Sequence, residues 1–298
     1  MKLGKSLFAA LLLILVIIAF SINQSSSTEE NTTTVLAASE LDTTAIDEEV
    51  YPHDEVIKVN IEISESNYNT LVANAMDEEY YLCDITYNGY TLYNVAIRAK
   101  GNSSLKNVFE SGGDRYSFNI DLNYYLDQDL FGVDRLILNN LYQDPTMMAE
   151  YISYEALDSL GAVSSRTTFT ALYINDEYYG LYLSVEDVGN EFLEENYGDS
   201  LGSLYKPELG TGADLDYVSD TYNYASLIDD YQVDPDNTAI IDLMEALSLG
   251  EDIDDYLNVD SFLQYLAMST FTVHLDSYQS GMYHNYYLYN NNGLFEWI

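Results

Sequence analysis

Ile57, Val59, Ile61 and Ile63 alternate with Lys58, Asn60 and Glu62, the period-two pattern of a strand with one buried face. Ser64 or Ser66 then caps a short amphipathic helix carrying Leu71, Val72 and Met76. Residues 80–87 and 90–99 form two alternating runs around Asn88-Gly89, the strongest short-range hairpin signal. Residues 116–123 and 135–139 continue as strands, and residues 147–160 have helical spacing up to Gly161, a helix terminator. A second hairpin is expected over residues 167–174 and 178–185, turning at Asn175-Asp176-Glu177. Beyond Lys206 the spacing changes to helices over 222–231, 238–249 and 259–273, with final strands at 283–289 and 294–298. The pattern predicts an α+β fold, with an antiparallel, strand-rich first half containing one long helix, then a helical part ending in a hairpin. No repeat of fixed period is present.

The first 55 residues have a different character. Lys2 and Lys5 precede an uncharged apolar run over 7–20, shorter than the ~20 residues of a comfortable membrane span, so residues 1–21 are expected to be a signal peptide or a signal anchor, with cleavage favoured. Residues 22–55 are rich in Ser, Thr and Glu without a sustained period, the composition of a flexible linker. The folded domain is therefore expected over 56–298, in an extracytoplasmic setting.

Charge narrows the partners. The 298 residues carry a formal net charge of -40, with 50 acidic residues against 10 basic ones. Bulk electrostatics disfavour nucleic acid and anionic membranes as partners, leaving membrane contact to the N-terminal segment if it is uncleaved. Apart from Lys2, Lys5 and Lys58, every cation falls between Arg98 and Lys206, which suggests a local anion site inside an acidic protein. Cys83 is the single cysteine, so no disulfide framework holds the fold, and a buried strand position accounts for it. Three dispersed histidines give no zinc spacing. The stretch from Asp127 fails as a calcium loop because Phe131 and Leu138 occupy ligand positions. No nucleophile elbow of the serine hydrolases is present. Thirty tyrosines fit sheet packing better than a carbohydrate-binding face.

Two clusters offer chemistry. Arg98 to Ser104 follows a strand and brings Lys100, Gly101, Asn102, Ser103 and Ser104 together. Such a turn can present N–H groups and an ammonium to phosphate oxygens, although it is not a Walker A loop. Asp276 follows a helix, and His284-Asn285 come shortly after. An aspartate can orient a hydroxyl for phosphoryl transfer while an asparagine helps hold Mg²⁺. Helix capping and an ordinary turn are the competing roles for these two residues.

These landmarks, together with Arg115-Tyr116-Ser117-Phe118, residues 175–182 with Glu186, Gly202 to Lys206, and His284 to Tyr289, resemble the CotH kinase family in order and spacing. The resemblance implies a remotely kinase-like fold and an exported protein kinase. Such an enzyme uses ATP and Mg²⁺ to phosphorylate serine or threonine on a serine-rich coat or envelope protein. By position, it makes Lys100, Gly101, Asn102, Ser103 and Ser104 the loop over the phosphates. Arg115 falls where the family has a lysine, with Glu150 or Glu155 as its partner; arginine there changes a compact ammonium to a planar fork. Glu186 and Asp187 fall at the hinge beside adenine, Lys206 is a further nucleotide contact, Asp276 the catalytic aspartate and Asn285 a metal ligand. The family continues past the position of Ile298 into a Pro-Trp-Asp segment, so the resemblance implies an incomplete domain. The rival reading is a catalytically silent structural or assembly protein of a coat or cell surface.

Overall fold

A computed structural model describes residues 33–34 and 41–298. The chain divides into a unit of residues 1–33 and a unit of residues 34–298, and the second contains the fold. The proposed signal, residues 1–21, lies outside the described residues, as does half of the proposed linker. Among the described residues no helix is long and apolar enough to cross a membrane.

Seven strands form the larger sheet: β1 Val56–Ile63, β2 Tyr81–Tyr87, β3 Tyr90–Lys100, β4 Ser117–Asp121, β5 Arg135–Asn139, β6 Thr167–Ile174 and β7 Glu177–Glu186. Leaving aside the two-residue strand Thr33–Thr34, their order is β3-β2-β1-β6-β7-β5-β4, and β4 pairs back with β3, so the sheet closes on itself like a barrel. Only β1 and β6 run parallel, with Val56 opposite Phe169. Closure leaves these seven strands without a free sheet edge.

Local chemistry sets both hairpins. Asn88 and Gly89 have φ of 46° and 88°, the left-handed pair a type I′ turn demands, and Tyr87 pairs with Tyr90 across it. Asn175 and Asp176 repeat this at φ of 52° and 66°. The Asn60 side chain grips that second turn, donating to Asp176 Oδ1 at 3.0 Å and accepting from the Asp176 N–H at 3.1 Å. Inside the barrel, Ile61, Ile85, Leu92, Phe118, Leu136 and Tyr182 belong to one buried cluster. Each such side chain contributes roughly 1.5–3 kcal/mol by leaving water. Cys83 is buried in the same cluster, and burial, followed by the charge of Asp84, pushes its thiol pKa well up.

Helices α1 (Glu65–Ala73), α2 (Ser103–Glu110), α3 (Ala149–Ser159) and α4 (Asn190–Tyr197) connect or follow the strands. The start of α3 is fixed by Asp144, whose carboxylate accepts from the backbone N–H of Thr146 at 2.9 Å and of Ala149 at 2.8 Å. Hydrogen bonds, first from the Thr146 hydroxyl and then from Ala149 N–H, hold the Asp144 pKa down to about 2.

The remaining chain builds a second, smaller layer. Strands β8 (Leu204–Tyr205), β9 (Leu288–Asn291) and β10 (Leu294–Trp297) form an antiparallel sheet with β9 in the middle. Helices α5 (Thr238–Leu249) and α6 (Val259–Phe271) accompany it. Its core gathers Tyr205, Met244, Tyr286, Leu288, Phe295 and Trp297.

The expected α+β plan, with strands dominating the first half, is what the chain shows. Several elements differ from expectation. Ile46, Val50 and Tyr51, expected in a linker, are buried in the barrel cluster, so packing begins before Val56. Residues 222–231 form turns rather than a helix. There the Tyr224 hydroxyl bonds the backbone of residues 218 and 219, and the Ser226 N–H bonds the Thr211 carbonyl. The last hairpin begins at Leu288 rather than residue 283, because Tyr283 and Asn285 take φ of 51° and 54°, outside strand geometry. Helices α2 and α4 were not anticipated.

Candidate functional site

Lys100 is the last residue of β3 and pairs with Ser117. Its half-buried side chain reaches Asn139 at the end of β5, with Nζ 3.5 Å from Oδ1. Asn139 Nδ2 in turn donates to Glu150 Oε1 at 2.6 Å, and Glu150 stands in the first turn of α3. Burial and then the nearby Lys206 ammonium lower the Lys100 pKa, against the opposing fields of Asp187 and Glu150. Burial raises the Glu150 pKa, opposed first by the Asn139 amide and then by Lys100.

Lys206 arrives from the other layer, directly after β8. Its ammonium lies 5.2 Å from the centroid of the Tyr287 ring. Burial pulls its pKa down, but Tyr287, Asp187 and Asp230 together outweigh this, and the net shift is upward. Asp187 also holds Arg135, Oδ2 to Nη1 at 3.0 Å. Two ammonium groups from two sheets are thus set among Asp187, Glu150 and Asp230.

Gly101, Asn102, Ser103 and Ser104 lead from Lys100 into α2. The Asn102 carbonyl accepts the Lys106 N–H at 3.0 Å, opening the helix. Gly101 has φ of 119°, and a Cβ there would lie 2.7 Å from Ser104 Oγ, so this tight entry favours glycine. The N–H groups of the first turn of α2 therefore follow Lys100 immediately in the chain, an anion-compatible arrangement.

Asp276 and Asn285 meet on the loop after α6. Asn285 Nδ2 donates to the Asp276 carbonyl at 2.7 Å, and the Asp276 N–H donates to His274 Nδ1 at 3.1 Å. That bond requires an unprotonated Nδ1, which agrees with the lowering of the His274 pKa by burial. His284 Nδ1 is 3.6 Å from Asp276 Oδ1. Tyr265 of α6 organises the loop, donating to the Asn285 carbonyl at 3.4 Å and accepting the Tyr278 N–H at 2.9 Å. Both Asp276 and Asn285 line a cavity of about 1310 Å³ that Glu150, Tyr154 and Tyr287 also line. Glu150 and Tyr287 are thus common to the cavity wall and to the surroundings of Lys100 and Lys206.

The sequence matches the family described as CotH kinase protein over residues 97–298. The chain belongs to that family. It is similar to the inner spore coat protein H of Bacillus subtilis (strain 168), 26% identical over 193 residues, covering 59% of this chain and 51% of that protein. The chain spans about half the length of this curated relative. The CotH match begins near the end of β3, so every candidate site residue lies within it.

Two positions carried over from the CotH pattern sit differently from expectation. Arg115 does not join the Lys100 and Lys206 group. Its guanidinium lies 5.1 Å from the centroid of the Tyr182 ring, and Nη2 donates to the Leu181 carbonyl at 2.5 Å. Neither proposed glutamate reaches it: Glu150 goes to Asn139, and Glu155 pairs with His53 at 3.4 Å. The place opposite Glu150 is taken by Lys100, with Asn139 between them.

Glu186 is buried and committed to Arg166. Its Oε1 lies 2.7 Å from Arg166 Nη1, and its Oε2 accepts the Arg166 N–H at 3.0 Å. Burial raises its pKa, with Arg166 opposing. The same arginine also holds Asp47 and Glu195, so Glu186 ties the barrel together rather than facing an open hinge. The sequence assigns no site role to Asn139, the end of an expected strand, or to Tyr287, which stands within the His284 to Tyr289 landmark; an asparagine ending a strand carries no signal beyond a turn, and Tyr287 is one of thirty tyrosines.

Proposed function

We propose that this CotH-family protein is an extracytoplasmic protein kinase of remotely kinase-like fold, transferring the γ-phosphoryl group of ATP to serine or threonine of a serine-rich coat or envelope protein. The observation that carries the reading is the joining of Lys100, through Asn139, to Glu150 on α3, beside Lys206 and on the rim of the cavity that Asp276 and Asn285 line. Phosphoryl transfer asks a protein mainly for positioning and for positive charge around the phosphates. Lys100, Lys206 and the start of α2 provide that charge. The name of the B. subtilis relative supports a coat association.

Mg²⁺ is compatible with the residues present, because it accepts one or two protein oxygens and fills its octahedron with water and phosphate. Asn285 uses its amide nitrogen on the Asp276 carbonyl, leaving Oδ1 for the ion. When bound, Mg²⁺ would neutralise charge developing on the phosphate oxygens. Asp276 would accept and orient the acceptor hydroxyl, and Lys100 and Lys206 would hold the phosphates.

The test combines the protein, γ-labelled ATP, Mg²⁺ and a serine-rich coat protein. Label is expected on the acceptor and should fall at least about 100-fold in Asp276→Asn. No incorporation, or equal incorporation by the variant, refutes the reading.

A catalytically silent assembly protein is the second reading. It is favoured by Arg115, which lies against the Tyr182 ring and the Leu181 carbonyl instead of joining Lys100 and Lys206. Thermal-shift titration separates the two, since ATP with Mg²⁺ stabilises only a protein that binds it.

A further inference from the structure

We propose that Asn139 is a positioning residue that transmits the state of Glu150 on α3 to Lys100 on β3. The inference rests on the kinase reading for its consequence in turnover, but its physical content stands on the geometry alone. In a direct pair, lysine and glutamate touch. Here a carboxamide stands between them, with Oδ1 3.5 Å from Lys100 Nζ and Nδ2 2.6 Å from Glu150 Oε1. The two ends of the amide do opposite jobs. Its nitrogen can only donate, so it favours the ionised form of Glu150 against a burial that opposes ionisation. Its oxygen can only accept, so it favours the charged form of Lys100.

The coupling follows from that polarity. Asp187 and ionised Glu150 supply the fields that favour protonated Lys100 against burial, the neighbouring Lys206 and Arg98. If Asn139 is replaced by an apolar side chain, Lys100 loses its acceptor, and Glu150, no longer held by Nδ2, is free to turn its charge away from Lys100. Asn139 itself is held at its post by β5, where it pairs with Leu183 of β7. Asn140 is held independently, its N–H donating to Ser117 Oγ at 3.0 Å and its Nδ2 to the Arg115 carbonyl at 2.8 Å. A movement of α3 that withdraws Glu150 therefore reaches Lys100 through one side chain, without requiring the strand to move.

The test reads Lys100 directly. Reductive methylation with ¹³C-formaldehyde preserves lysine charge, and the Lys100 resonance is assigned by its loss in Lys100→Arg. Asn139→Leu is expected to move the Lys100 titration to lower pH. Asn139→Asp loses the donor toward Glu150 and favours its protonated form, but it places a carboxylate nearer Lys100 than Glu150 stands, so it is expected to move the titration to higher pH. Glu150→Gln should lower the Lys100 titration in the natural sequence and have little further effect in Asn139→Leu. A general structural weakening would move both Asn139 variants the same way. If Asn139→Leu does not fold, the opposite shift in Asn139→Asp and the response to Glu150→Gln still decide the matter.

In turnover, Asn139→Leu should raise the KM for ATP about tenfold, the effect of losing one charge-assisted hydrogen bond. It should also narrow the pH profile from both sides, because Glu150 protonates at higher pH and Lys100 deprotonates at lower pH. An unmoved Lys100 titration in both variants, or additive effects of Asn139→Leu and Glu150→Gln, overturns the inference while leaving the kinase reading intact. A protein inert toward ATP whose Lys100 still responds as described overturns the kinase reading and leaves the coupling standing.

Discussion

Replacing Arg166 by Met separates the folding role of Glu186 from a nucleotide-binding one. Arg166 holds three carboxylates of unequal worth. Asp47 is 61% exposed, so its 2.6 Å contact contributes at most about 1 kcal/mol. Glu186 is only 6% exposed, and once Arg166 is gone its charge is left buried with a single backbone N–H as donor. Breaking a buried pair on one side costs about 3–5 kcal/mol, mostly from the stranded charge. At about 2–4 °C per kcal/mol for a domain of this size, Arg166→Met should lower Tm by about 10 °C.

Two further measurements identify the stranded charge as the cause. Adding Glu186→Gln should restore most of the loss, because an amide keeps the acceptor for the Arg166-position N–H and removes the charge. The pH dependence has a definite sign: a carboxyl whose folded pKa is raised costs stability above that pKa, and the cost fades as pH falls toward the unfolded value. Burial already raises Glu186, and losing Arg166 raises it further, so the deficit of Arg166→Met should be smaller at pH 5 than at pH 8. A loss below about 1 kcal/mol, or no rescue by the second substitution, refutes the argument. If Glu186→Gln alone kept its stability but lost ATP-dependent stabilisation, Glu186 would face a nucleotide after all.

Gly202→Ala should destabilise the smaller sheet by at least about 1–3 kcal/mol in urea unfolding, because its Cβ would fall 2.0 Å from the Asn290 carbonyl oxygen. Gly189→Ala is the control, meeting only side-chain oxygens at 3.5 and 3.6 Å, and an effect of equal size there would refute the steric account. Cys83, buried and with its thiol pKa raised, should react with a disulfide reagent at least about 100-fold more slowly in native buffer than in denaturant. Comparable rates would mean that the β2 and β3 region opens freely.

The parts of the fold that were legible are those fixed by neighbours in sequence. Asn88-Gly89 specifies a turn wherever it occurs between alternating runs, and both its residues take the required positive φ. Closure of the barrel was not legible, because β5 meets β7 and β1 meets β6 through distant, partly parallel pairings that no local pattern encodes. Ile46 and Val50 were lost in a polar stretch because two apolar residues make no period, although both are completely buried. Residues 222–231 had helical spacing, but Tyr224 satisfies backbone groups with its own hydroxyl, an alternative to the helical ladder that periodicity cannot reveal. In the site, rarity exposed Lys100 and Lys206: few cations among many acids invite a reason. Rarity also drew attention to Arg115, since sequence gives the charge of a side chain but not its direction.

Direction is what sorts the cations of this acidic protein. Arg98 is neutralised by Glu78, Arg135 by Asp187, and Arg166 by three carboxylates, each tying segments far apart in sequence. Arg115 lies on a tyrosine ring and a carbonyl oxygen within the barrel. Lys100 and Lys206 differ in that each comes from a different sheet and each feels the other, a juxtaposition that costs energy unless anions stand nearby. Asp187 serves both lysines, while Glu150 serves Lys100 through Asn139 and Asp230 serves Lys206. The barrel, the small sheet and α3 therefore bring their charges together, and Asp187, Glu150 and Asp230 offset the repulsion between the two lysines. That balance of charge belongs to the junction between the two layers rather than to either layer alone.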